Sequence, residues 1–134
     1  MLFEVRGHLH STITKALATM DRDLNETGKW ERGGDLKYML GKRYLRKRRF
    51  AEAYAAFVQA EPWLADEKGN DHQHVVASIM RQAQCLARLR NLPKACEEYA
   101  RALRRMNETG HADHPAAKAI SDWINAVCHE SSGK

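Results

Sequence analysis

The sequence predicts an all-α fold, an array of antiparallel helical hairpins with about six helices. Three observations carry this. Apolar residues recur at spacings of three and four along most of the chain. No stretch alternates with the period of two that a half-buried strand requires. An internal repeat runs through the middle: laying Ala95 on Ala53 (95 − 53 = 42) places Tyr99 on Phe57, Ala102 on Ala60, Ala83 on Gly41 and Leu86 on Tyr44. The turn repeats with them, Arg90-Asn91-Leu92-Pro93 facing Arg48-Arg49-Phe50-Ala51.

The elements follow in order. Leu9, Ile13, Leu17, Met20 and Leu24 form one stripe, and Gly28 stands where a terminating glycine would stop the helix, so a leading helix spans 9–28. Its end, Asn25-Glu26-Thr27-Gly28, recurs at 107–110, close to two periods on, and the helix reads as a degenerate second helix of a leading repeat. Gly33-Gly34 breaks the chain and Asp35 is a suitable N-cap for the first repeat, 35–64, whose helices meet near Arg48. A polar link containing Gly69-Asn70 leads to the second repeat, 73–107, in which Pro93 starts the second helix. Asp113 and Pro115 open a last helix, 113–130, with Ile120, Trp123 and Val127 on one face, suited to cap the array.

At 134 residues and 43% hydrophobic content, the chain supports one domain with a modest core. No apolar run reaches the roughly 18 residues that span a bilayer, so no membrane association is expected. The N-terminus lacks the apolar core of a signal peptide. Cys85, Cys96 and Cys128 make no CxxC pair, and reduced, buried thiols in a cytoplasmic protein are the expectation. Two glycosylation sequons, Asn25-Glu26-Thr27 and Asn107-Glu108-Thr109, would then stay unmodified. The net charge of +5 suits an acidic protein or a nucleic acid as partner and decides neither.

Leu40, Gly41 and Tyr44, followed by Ala53, Phe57 and Ala60, resemble the helix-turn-helix signature of the tetratricopeptide repeat (TPR) family. The resemblance covers roughly 35–107. Lys37 stands where that signature prefers Trp, and a period of 42 exceeds the family's usual 34, so the helices or the link between repeats must be longer. The resemblance implies a right-handed array that binds another protein or a peptide. In such arrays the concave groove is lined by the first helices of successive repeats. Carried over residue by residue, it implies Asp35, Tyr38, Lys42, Leu45 and Arg46 from one repeat and Ala77, Met80, Gln84, Ala87 and Arg88 from the next, with Arg81 beside them.

The peptide-binding set expected is therefore Tyr38, Lys42, Arg46, Met80, Arg81, Gln84 and Arg88. Such a cationic, amphipathic lining suits an acidic or carboxylate-ended segment, because guanidinium forks grip carboxylates bidentately. Gln84 stands where the family's carboxylate clamp has Asn. The alternative is nucleic-acid binding through the 42–49 cluster, with Arg43, Lys47, Arg48 and Arg49 on phosphates. Cations at a helix C-terminus also simply offset its dipole. Self-association into a homo-oligomer is compatible with either reading. The histidines fall as His8/His10, His72/His74 and His111/His114, none at the i, i+4 spacing of a helical metal site, and read as solvated loop residues. Asp71, His72 and His74 form the best metal candidate, a poor one. The residues suggest no catalytic set and no cofactor, and the chain reads as a binding module rather than an enzyme.

Overall fold

A computed structural model of the chain describes residues 2–27, 33–68 and 73–128, and all its regular elements there are helical. They are α1 (Leu2–Thr27), α2 (Gly33–Arg46), α3 (Phe50–Lys68), α4 (Gln73–Arg88), α5 (Leu92–Glu108) and α6 (Pro115–Trp123), the last continued by a π-helical turn at Ile124–Cys128. Gly28, the Gly69-Asn70 link, Asp71, His72 and the final residues of the expected cap helix lie outside the described residues.

α2 with α3 and α4 with α5 form two hairpins, and α3 packs on α4 to join them. The 42-residue period is visible in the backbone. α2 and α4 both end in a Schellman turn: Arg49 N–H reaches Tyr44 C=O as Asn91 N–H reaches Leu86 C=O, and Arg48 N–H reaches Leu45 C=O as Arg90 N–H reaches Ala87 C=O. The residue that takes the left-handed conformation is Arg48 (φ 59°) in one turn and Arg90 (φ 66°) in the other, 90 − 48 = 42 positions apart. The core repeats too. Tyr38 and Met80, Ala53 and Ala95, Phe57 and Tyr99, Ala60 and Ala102, and Leu64 and Met106 are all buried pairs at that interval. Ala53 and Ala95 are small because helices cross there. Gly41 is smaller still because a Cβ would lie 2.7 Å from the Phe57 ring. The extra length of the repeat lies partly in α3, which runs 19 residues, through the exposed Pro62 to Lys68, past the expected end at Leu64.

Polar contacts register the hairpins on each other. Ser78 Oγ donates to Phe57 C=O at 2.9 Å, and Gln82 Nε2 donates to Glu61 at 2.8 Å. Arg101 on α5 grips Glu61 of α3 with both terminal nitrogens, at 2.5 and 2.9 Å, and also holds Glu98 at 2.6 Å. Such a bidentate, half-buried cluster is the strong kind of ion pair.

Several expectations are revised. α1 does not stack on α2 as a leading second helix would. Its stripe of Leu9, Ile13, Leu17 and Met20 is buried in the core, and the helix packs along α4 and α6. Asp35 is not an N-cap: α2 starts at Gly33, and the buried Asp35 carboxylate lies 3.0 Å from Nδ1 of His74. His74 is thus a core residue rather than a solvated one, stacked beside Tyr38. His114 caps α6 by accepting from Ala116 N–H at 3.0 Å, one residue after the expected Asp113. The thiols are not all reduced. Cys96 on α5 is bonded to Cys128, which ties the end of the chain back to the last hairpin, and Cys85 is free and buried. Ile120, Trp123 and Val127 are buried as a cap requires, with Trp123 4.7 Å from the Tyr99 ring.

Candidate binding groove

Side chains of α1, α2 and α4 enclose a groove of about 520 Å³. Its walls are His10, Thr14, Ala18 and Asp21 from α1, Lys42, Leu45 and Arg46 from α2 with Phe50 beyond the turn, and Arg81, Gln84 and Arg88 from α4. The repeat explains why the cations converge. Arg46 and Arg88 are equivalent positions (88 − 46 = 42) in the last turns of equivalent helices, and both line the groove.

Of the sequence-derived set, Lys42, Arg46, Arg81, Gln84 and Arg88 line this groove. Tyr38 and Met80 do not: both are fully buried and present no ring or thioether to a ligand.

The inner end of the groove is already occupied by a carboxylate of the chain itself. Asp21 on α1 accepts from Tyr38 Oη at 2.7 Å and from Arg81 Nη2 at 2.7 Å, and Lys42 Nζ stands 2.9 Å from it. Arg81 Nε also reaches Tyr38 Oη at 3.3 Å. Burial pushes the Tyr38 phenol far above its usual range, so it stays a neutral donor to Asp21. Sequence reading missed Asp21 because its partners lie 17 to 60 positions away, and only the position of α1 brings them together. Thr14 is held similarly, accepting from Gln84 Nε2 at 2.7 Å.

The outer end is different. Arg88 is half of a cation–π pair, its guanidinium carbon 5.1 Å from the centre of the Phe50 ring, and Arg46 is exposed. Among the described residues neither has a carboxylate partner. His10 on α1 faces them. Burial, and secondly the charge of Arg88, holds its imidazole below its usual range, so it adds no positive charge at neutral pH. Across the lining, four cationic side chains meet one carboxylate, and that carboxylate is spoken for. The remaining positive charge sits beside apolar surface from Leu45, Phe50 and Ala18.

Among the described residues, which do not include Asp71 and His72, no three His, Cys, Asp or Glu side chains cluster as metal ligands would. No helix there is long and apolar enough to cross a membrane. The sequence matches no family model, and no curated protein or solved structure shows significant similarity to it.

Proposed function

We propose that this chain is a protein-interaction module, TPR-like in design, that receives an acidic or carboxylate-ended segment of another protein at the outer end of the groove. The supporting observation is the pair Arg46 and Arg88, repeat-equivalent, unmatched by a carboxylate among the described residues, and bordered by Leu45 and Phe50. Lys42 and Arg81, expected from the sequence to grip the ligand, serve instead to hold Asp21. A charge-assisted contact of this kind contributes about 1.5–3 kcal/mol, so losing one weakens binding about tenfold or more.

The nucleic-acid reading keeps one observation in its favour: Arg43, Lys47 and Arg48 are exposed around the α2–α3 turn, outside the groove. The two readings separate in one experiment. Affinity capture from native lysate, with and without nuclease, compares the wild type with Arg46→Glu/Arg88→Glu and with Arg48→Glu. The groove reading expects loss of a protein partner in the double variant and none in the turn variant. The reverse pattern, together with sensitivity to nuclease, overturns it. As to location, the Cys96–Cys128 bond favours a compartment that does not reduce disulfides over the cytoplasm expected from the sequence.

A further inference from the structure

The array has an end that nothing in the described chain covers, and the repeat itself shows what kind of element belongs there. In the second hairpin, α4 meets the preceding helix α3 through Ser78 and Gln82, and α5 meets it through Arg101. Arg105 also lies close enough to act on the Glu61 carboxylate electrostatically. Shifting these positions back by 42 gives Leu36, Leu40, Gln59 and Trp63. They therefore form the surface of the first hairpin that a preceding second helix would cover. Three of them are large apolar residues in the open: Leu36 is 54% exposed, Leu40 42% and Trp63 51%. Lys37 joins the two helices of the patch, its Nζ 3.4 Å from Gln59 and 5.9 Å from the centre of the Trp63 ring.

By the same count the missing helix would be 8–26, but α1 lies on α4 and α6 instead. Among its described side chains, those left in solvent are His8, Ser11, Thr14, Lys15, Ala18 and Thr19, all but Ala18 polar or basic and wrong for leucines. A second copy is disfavoured by charge. Antiparallel pairing of α2 with itself about Leu40 would set Lys37 and the exposed Arg43 of one copy against Arg43 and Lys37 of the other. Among the described side chains at this end of α3, Asp66, a turn beyond Trp63, is the one exposed acid.

We propose that the Leu36–Leu40–Trp63 face is a second interaction surface, independent of the groove, which takes an amphipathic helix of another protein. That helix lies where the second helix of a preceding repeat would lie. It presents an apolar stripe to Leu36, Leu40 and Trp63 and flanking carboxylates to Lys37 and Arg43. Its register is that of α3 on α4, where Ser78 and Gln82 stand in place of Leu36 and Leu40.

The test uses the full chain and a designed, labelled 16-residue helix with leucines at i, i+3, i+4 and i+7 spacing and glutamates flanking them. A second peptide carries lysine in place of each glutamate. Leu36→Ser/Leu40→Gln gives the first hairpin the residues of the second and, both sites being exposed, keeps the fold, which circular dichroism verifies. Fluorescence anisotropy should show saturable binding of the glutamate peptide, weakened at least tenfold by Leu36→Ser/Leu40→Gln and unchanged by Arg46→Glu/Arg88→Glu. The lysine peptide should bind at least tenfold more weakly. No binding, equal affinity in the leucine variant, or equal affinity for the two peptides would overturn the proposal. So would a wild-type dimer that the leucine variant dissolves, since the occupant would then be a second copy.

Discussion

Asp21 and Arg81, 60 positions apart in the chain, meet at 2.7 Å between α1 and α4, both almost fully buried. The contact ties the first helix to the repeat array, and its two halves are not equally dispensable. Without Arg81, Asp21 keeps Lys42 and the Tyr38 hydroxyl; without Asp21, the Arg81 guanidinium is left buried with a neutral phenol. Leaving a buried charge uncompensated costs about 3–5 kcal/mol. Asp21→Asn should therefore destabilise by about that much and Arg81→Met by clearly less, as read from urea midpoints at constant slope. Equal costs, or the reverse order, would show that Lys42 and Tyr38 do not share the carboxylate.

Gly41 tests the close approach of α2 to α3. In an open helix, Gly→Ala gains about 1 kcal/mol of helix propensity. Here the new methyl would lie 2.7 Å from the Phe57 ring, which is fully buried and has no room to withdraw. Overpacking of this kind costs about 1–3 kcal/mol. The steric term should win, so Gly41→Ala lowers the thermal midpoint. A rise in the midpoint would mean that the hairpin is looser than this packing.

The repeat was legible because it rests on local chemistry. Small residues at Ala53 and Ala95, aromatics at Phe57 and Tyr99 and the turns at Arg48 and Arg90 each declare themselves within a few residues, and the structure repeats them in order. The course of α1 was not legible. Its stripe from Leu9 to Met20 announces a buried face but carries no address, and α4 and α6 are as apolar a destination as α2. Asp21 was hidden for the same reason, since an ion pair across 60 residues leaves no periodic trace. Tyr38 and Met80 sit at groove positions by register but are fully buried, Tyr38 against Phe57 and His74 with its hydroxyl on Asp21 of α1. Three cysteines allow three pairings, and the choice of Cys96 with Cys128 depends on where α6 docks.

The Glu61 cluster between α3 and α5 should give stability an acid dependence. Burial alone would raise the Glu61 carboxyl, but hydrogen bonds from Arg101 and Gln82, with the charges of Arg101 and Arg105, outweigh it and hold the group below its usual 4.5. A depressed carboxylate contributes stability that is fully present above its unfolded value and is lost as pH falls through the folded one. The stability gap between wild type and Glu61→Gln should therefore hold steady from pH 7 to about 5 and shrink below about 4. Urea midpoints measured across that range check it. A gap that widens on acidification would mean that Glu61 is not held as a carboxylate by Arg101.

The bond between Cys96 and Cys128 closes a loop of 32 residues that contains α6. A cross-link over that span removes about 3–4 kcal/mol of unfolded-state entropy in the chain-entropy account. Cys85 stands apart: it is buried, and burial pushes its thiol up to about 12, so it is neither an available thiolate nor an exchange partner. The native chain should therefore take up no alkyl label at neutral pH without reductant. Denatured without reductant it should take one label, on Cys85, and denatured after reduction it should take three. Cys128→Ser should lower the thermal midpoint and, by freeing α6, expose the Tyr99 ring that Trp123 now covers. Three labels on the unreduced, denatured chain would show that α6 is held by packing alone.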